Sequence, residues 1–175
     1  RIEQFYSSSD ILEIIHRSQI PVLVYKYKPD NTIAVEKPFE RPLIATDFSK
    51  MNQNVIDYLK PMGQVIKKVT IIHVGDPKSL KESSAMGVQK TRKKIRGKLD
   101  ALCDLLIAAG IDASPAVYVG NPAKEIVTAA KECNASMVIT GTSSKLSLKE
   151  KLVGSTPRFL AEKTDIPTLL IPPVT

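Results

Sequence analysis

From Pro42 onward, short β-branched apolar runs alternate with stretches of helical period, and nothing else in this chain restricts its fold so tightly. Five runs read as strands: 42–46 (PLIAT), 67–74 (KKVTIIHV), 111–120 (IDASPAVYVG), 136–141 (SMVITG) and 166–173 (IPTLLIPP). Between the first two, Met51, Val55 and Leu59 recur at helical spacing after Asp47 and Ser49, both helix-start residues. A long helix over 80–109 is closed by Gly110, and a helix over 121–134 opens with Asn121 as cap and Pro122 at its first position. A last helix spans 155–163. Strands alternating with helices imply right-handed crossovers and a parallel sheet. Continuous apolar strands are those covered on both faces. The expected fold is α/β: a doubly wound, Rossmann-like, five-stranded parallel sheet with helices on both faces. Pro115, inside the third strand, suggests exposure or an edge position for it.

Composition narrows the class. With 43% hydrophobic and 25% charged residues, the 175-residue chain has an ordinary globular balance. No apolar run approaches the length of a membrane-spanning helix. The two cysteines, Cys103 and Cys133, make no metal-ligand or redox spacing and read as inert thiols of a cytoplasmic protein. A net charge of +7 favours encounter with anions without identifying one. The polar opening RIEQFYSSSD, without an initiating Met or a secretory apolar stretch, reads as cut from something longer.

Residues 1–41 carry their own signal. Set against the end of the chain, Ser9 falls on Ser155, Ile20-Pro21 on Ile166-Pro167 and Leu23 on Leu169, an offset of 146 residues. The shared phrase is a serine cap, a short amphipathic helix, Ile-Pro and an apolar strand. An offset of about one α/β domain is the mark of a tandem repeat. On this reading 1–26 is the end of an upstream copy, 27–40 a linker, and 41–175 one complete domain. The lone strand at 20–25 is a hazardous free edge unless it pairs with the last strand, PTLLIPP, or with a second chain.

In a doubly wound sheet, ligands bind outside the carboxyl ends of the strands where strand order reverses. Asp47 follows the first strand, Val74 and Gly75 end the second, and the segment 141–156 follows the fourth. A carboxylate at Asp47 can accept hydrogen bonds from ribose hydroxyls or from backbone N–H groups. It can equally cap a helix. Gly141 permits close backbone approach or simply forms a turn. Gly154, Ser155 and Thr156 open a helix, where N–H groups and the helix dipole favour an anion. Lys145, Lys149 and Lys151 add charge to the segment or form a solvated face. There is no GxxxxGK[ST], so this is not a Walker-type nucleotide loop.

The stretches LIATDFSK, IIHV, VGNPAKEIVTAAKECNASMVITGT and the pattern Gly141-x2-Ser144-x9-Gly154-Ser155 together resemble a universal stress protein domain over 41–173. The family fold is a five-stranded parallel α/β sheet, and tandem members are familiar. Its nucleotide-binding members bind ATP through Gly-x2-Gly-x9-Gly-Ser/Thr after the fourth strand. The resemblance implies that Asp47 contacts the adenosine part, with Ala45 and Thr46 beside it. It implies that Val74 lines the adenine pocket, that Thr140 and Gly141 lie along the nucleotide, and that Gly154, Ser155 and Thr156 hold phosphates. ATP is the implied ligand, with AMP or ADP as alternatives and Mg2+ only alongside the nucleotide. Ser144 departs from the motif's second glycine, and Ser136 from an Asp found in many members. The family also includes members that do not bind ATP.

The remaining chemistry is sparse. His16 and His73 are the only histidines, and His73, ending a strand, reads as a hydrogen-bonded structural residue. The basic run QKTRKKIRGK (89–98) spreads around its helix without aromatic interleaving, which argues against nucleic acid. No general base or metal-binding carboxylate pair presents itself, so any hydrolysis would be slow. Two functions lead, a regulator that signals through adenine-nucleotide occupancy and dimer or partner contacts and an interaction module with a degenerate pocket; a nucleic-acid binder using the basic patch is a third, weaker reading. In both, pairing through the last strand is expected, either within the chain or in a homodimer.

Overall fold

The computed structural model describes residues 13–15, 17–25, 35, 37–77, 85–142 and 155–173. In chain order the elements are β1 (Val22–Val24), β2 (Pro42–Ala45), α1 (Lys50–Leu59), β3 (Lys68–Gly75), α2 (Ala85–Ile107), β4 (Asp112–Val119), α3 (Pro122–Glu132), β5 (Met137–Gly141), α4 (Ser155–Lys163) and β6 (Thr168–Ile171). They form one sheet of order β1-β6-β5-β2-β3-β4. Five strands, β2 to β6, are parallel to their neighbours, as the alternation implies. The sheet nevertheless has six strands. β1 adds itself antiparallel to β6, with Val22 opposite Leu170, Leu23 opposite Leu169 and Val24 opposite Thr168.

The strands divide their side chains between two cores, because successive residues of a strand point to opposite faces. Ile44, Ile71, Met137 and Ile139 join Val55, Ile56 and Leu59 of α1 and Leu99, Cys103 and Leu106 of α2. Leu43, Ala45, Ile72 and Val138 join Ile126, Ala129 and Ala130 of α3 and Leu160 of α4. Two helices therefore cover each face. A third, smaller cluster sits under β1, where Ile15, Ala161 and Leu170 meet Val22 and Val24.

Local chemistry marks the boundaries. Asn121 Oδ1 accepts from the Lys124 N–H at 3.2 Å, with Pro122 at the first helical position of α3. Gly110 has φ +81°, and its carbonyl-side turn reverses α2 into β4. β4 is an edge strand, where Pro115 was expected. Along it, Asp112 N–H donates to Lys67 O and Gly120 N–H to Gly75 O, so even-numbered residues donate inward. The missing N–H of Pro115 thus falls on the side that faces away from the sheet, where it blunts the edge.

The entry to β2 is tied to the entry of β5. The Ser136 hydroxyl donates to Pro38 O at 2.7 Å and accepts from the Arg41 N–H at 2.8 Å. Ser136→Ala would strand both backbone groups, one of them bordering a buried strand. It is expected to lower stability by about 1–3 kcal/mol in denaturant unfolding. Unfolding at the parent's midpoint would show that water replaces the hydroxyl at no cost.

On the other side of the sheet, the Tyr118 hydroxyl donates to Glu132 Oε2 at 2.6 Å. That bond, with burial second, pushes its ionisation up to about 12. A raised folded value favours the protonated form, so this stabilisation is present below pH 10 and is lost as pH rises toward 12. An ultraviolet titration is expected to show one phenol ionising late, and Glu132→Gln is expected to bring it earlier. A curve unchanged by that substitution would remove Glu132 as the cause.

Candidate functional site

The chain runs from β2 through β3 to β4 on one side, then returns to β5 and β6 on the other side of β2. Strand order therefore reverses between β2 and β5, the position at which doubly wound sheets hold a ligand outside their carboxyl ends. β2 and β5 are aligned with Ile44 beside Ile139, and β2 and β3 with Ala45 beside Ile72. Continuing those registers brings Ala45 next to Thr140, Thr46 next to Gly141 and to His73, and Asp47 next to Val74.

The turn after β2 is tightly specified. Thr46 is buried, and its N–H donates to Ile72 O at 2.9 Å. Its carbonyl lies 2.8 Å from His73 Nδ1. A carbonyl only accepts, so the proton sits on Nδ1 and the imidazole is a satisfied structural group, as read from sequence. The Phe48 N–H donates to Thr46 Oγ1 at 3.0 Å, and the Ser49 N–H donates to Asp47 Oδ1 at 2.8 Å. Ser49, extended at φ −70° and ψ 164°, holds the N-cap position of α1 without a side-chain capping bond. Asp47 therefore stands two residues before the cap residue Ser49, as the acceptor of a local turn.

Phe48 is the strained member, with φ +61°. A left-handed backbone costs a non-glycine residue about 1–2 kcal/mol, and bulky residues are uncommon there. Its ring packs on the α1/α2 core and lies 4.5 Å, centroid to centroid, from the His73 ring. Lys98 Nζ of α2 sits 4.9 Å from the Phe48 centroid. Such a ring pair contributes about 0.5–1.5 kcal/mol, and an exposed cation over a ring about 0.5–1 kcal/mol. Together they are large enough to offset the strained backbone.

Over residues 38–172 the sequence matches the universal stress protein family.

The chain belongs to the universal stress protein family.

A curated relative is the universal stress protein MJ0577 of Methanocaldococcus jannaschii, 24% identical over 153 residues, which are 76% of this chain and 94% of that one. Its solved structure superimposes with a TM-score of 0.66, covering 78% of this chain and 97% of that chain. A universal stress protein structure from Archaeoglobus fulgidus, 23% identical with a TM-score of 0.66, covers 91% of this chain and 52% of its own. Two others were solved as complexes. One, with cAMP, is 22% identical, with a TM-score of 0.61 over 77% of this chain and 97% of that chain. The other, from Archaeoglobus fulgidus with dAMP, is 16% identical, with a TM-score of 0.55 over 77% and 98%.

Within this universal stress protein domain, Ala45, Thr46, Asp47, Val74, Thr140 and Gly141 all lie at the carboxyl ends of three adjacent strands. Ala45 is buried in the α3/α4 core and Val74 packs against it. Thr140 alternates with Val138 onto the same face. Asp47 is exposed at the tip of its turn. Ser155 opens α4 and Thr156 follows it, half-buried. α4 returns the chain to the start of β6, so its N-terminus is at the carboxyl end of the sheet. Its first turn holds no acidic residue to compete with an outside anion. Ser144, Gly154 and the three lysines of the segment lie outside the described residues, as does the Ser155 side chain.

Sequence reasoning missed the group formed by Phe48, His73 and Lys98. These residues occupy the α1/α2 face, behind the turn that presents Asp47. A helical lysine, a strand-end histidine and a phenylalanine have no shared sequence spacing. The only signal was a bulky residue where the chain must turn. Cys103 and Cys133 are unpaired thiols, and burial, with Asp100 and Asp104 second, pushes the Cys103 thiol up to about 11. Among the described residues, no His/Cys/Asp/Glu group could hold a metal ion. Among them, too, no helix is long and apolar enough to cross a membrane.

Proposed function

We propose that this chain is a cytoplasmic universal stress protein regulator that binds an adenine nucleotide in the crevice between β2 and β5 and signals through its occupancy. The observation that carries this reading is convergence. An exposed carboxylate at Asp47, a glycine at Gly141 and the N-terminus of α4 gather at one switch point, over a half-apolar wall of Ala45 and Val74. Asp47 takes the ribose hydroxyls, and Thr140 and Gly141 run along the nucleotide. Gly154, Ser155 and Thr156 hold phosphates at the positive end of α4, with Ser144 adding a hydroxyl. ATP is the first choice and AMP or ADP the alternatives, with Mg2+ entering on the phosphates. The relatives solved with cAMP and dAMP support an adenine nucleotide as the ligand class. We take the nucleotide as a signal that is turned over slowly if at all, because the sequence presents no evident general base or metal-binding carboxylate pair.

Calorimetry and thermal unfolding with ATP, ADP and AMP test this reading. At a hundredfold excess over Kd, a ligand that binds only the folded chain stabilises it by about 2.7 kcal/mol, a shift of several degrees. Neither heat nor a shift at millimolar nucleotide would leave the second reading, an interaction module with a degenerate pocket. Ser144, in place of the motif's second glycine, favours that alternative.

The small third core supports the tandem-repeat reading of residues 1–26. Shifting by the repeat offset of 146 maps Ile15 onto Ala161, Val24 onto Leu170 and Leu23 onto Leu169. Each of these pairs meets across the β1–β6 junction: Ile15 with Ala161 and Val24 with Leu170 in one cluster, and Leu23 with Leu169 in register. The junction is thus related to itself by an approximate two-fold axis through Leu23 and Leu169. β1 stands where the β6 of a second copy would stand. The superposition covering 91% of this chain reaches beyond the single domain and agrees with that view. Last-strand pairing, within one chain or between two, is the partner contact of this proposal.

A further inference from the structure

We infer that Phe48, backed by His73 and Lys98, is a positioning residue that sets how well Asp47 receives its ligand, without touching that ligand. The inference rests on the nucleotide reading above, and it adds residues from the opposite face of the sheet. Ala45 and Val74 face α3 and α4, whereas Phe48 packs into the core of α1 and α2. A molecule in the crevice cannot reach the Phe48 ring through the sheet. The backbone connects the two sides. Asp47 lies between Thr46, pinned through its carbonyl to His73 and through its N–H to Ile72, and Phe48, pinned through its N–H to Thr46 Oγ1. The direction of the Asp47 carboxylate follows from the φ of +61° at Phe48, because that dihedral aims the Ser49 N–H at Asp47 Oδ1. What holds a phenylalanine in a conformation that favours glycine is its ring: 4.5 Å from His73 and 4.9 Å from Lys98 Nζ.

The ring, not the φ alone, is therefore the device. Glycine would tolerate the dihedral but leave it free to relax, and alanine would retain the strain without its anchor. A tyrosine retains the aromatic face. Lys98 makes the arrangement responsive, because it extends from the basic helix α2, whose Lys93, Lys94 and Arg96 are exposed. A partner that draws Lys98 away would loosen the turn at a distance from the crevice.

The test is a cycle of Kd measurements for ATP by calorimetry on the full chain. The variants are Phe48→Ala, Phe48→Tyr, Lys98→Met, Asp47→Asn and the double variant Asp47→Asn/Phe48→Ala. Displacing a charged hydrogen-bonding group is expected to weaken binding about tenfold in Phe48→Ala. Lys98→Met should give a smaller loss of the same sign, and Phe48→Tyr should restore parent affinity. In the Asp47→Asn background, Phe48→Ala is expected to cost nothing further, since it acts through that carboxylate. Equal losses in both backgrounds, or parent affinity in Phe48→Ala, overturn the inference. If the parent binds no nucleotide, the functional reading fails by itself, and hydrogen exchange at the Ser49 amide then decides the inference. Faster exchange in Phe48→Ala than in Phe48→Tyr upholds it, and equal protection in the two overturns it.

Discussion

On the proposed nucleotide reading, Asp47→Ala is expected to weaken ATP binding by about a hundredfold, the largest loss expected from any single substitution in the crevice. A hydrogen bond to a charged group contributes about 1.5–3 kcal/mol, and each 1.4 kcal/mol is about a factor of ten. The alanine also deprives the Ser49 N–H of its acceptor, so the turn relaxes at the same time. Asp47→Asn keeps an oxygen for Ser49 and removes only the charge, and it should fall between alanine and the parent. On the proposed contact of the carboxylate with the ribose, the loss should be equal for ATP, ADP and AMP. Gly154→Val, by contrast, should weaken ATP far more than AMP, because it obstructs the phosphates. Calorimetry with the three nucleotides separates the two patterns. An unaltered Kd in Asp47→Ala, or a loss confined to ATP, would sink the assignment of Asp47 to the ribose.

The second large effect concerns association. Val22→Asp combined with Val24→Asp places two charges in the small core beside Ile15, Ala161 and Leu170. Val22 and Val24 are half-buried against this cluster, and two carboxylates pressed on its apolar surface are expected to cost more than a three-residue strand can retain, so that β1 leaves and β6 is uncovered. The exposed edge then finds its equal. Two β6 strands related by a two-fold place Leu169 opposite Leu169 and Thr168 opposite Leu170, the register that β1 now occupies. A two-fold contact closes on itself, so the product should be a discrete dimer and not a growing fibre. Sedimentation velocity over a range of concentrations should show stronger self-association than in the parent. A double variant that sediments as the parent does at every concentration would show that β1 does not guard this edge.

Much of the fold was legible because it is written in local chemistry. β-branched runs, Asn121-Pro122 and Gly110 each state their role within a few residues, and Pro115 disclosed an edge through one missing N–H. The sixth strand was legible only as a need, since an isolated apolar strand must find an edge but does not say how it is oriented. The Ser136 clasp was not legible. Its partners, Pro38 and Arg41, are nearly a hundred residues away, and sequence showed only a serine in place of an aspartate. For the crevice, the strand-end residues Asp47 and Val74 followed from topology, whereas Ala45 and Thr140 came only from the family resemblance. Phe48 followed from neither, because local propensity argues against a left-handed phenylalanine. Only the tertiary contacts of its ring explain how it stays there.

The β1–β6 pair also has a place in time. It joins Leu23 to Leu169 across almost the whole chain, with three residues of pairing to offset the entropy of closing that loop. The β2–β3 and β3–β4 pairs close over far shorter separations and bury far more. They are expected to assemble first, with β1 arriving after the parallel sheet is complete. By the same reasoning β1 departs first in native-state opening, at a free energy well below that of global unfolding. Each such opening would briefly offer β6 to another strand, and amides of β1 and β6 are expected to exchange through it well before those of β2 and β3.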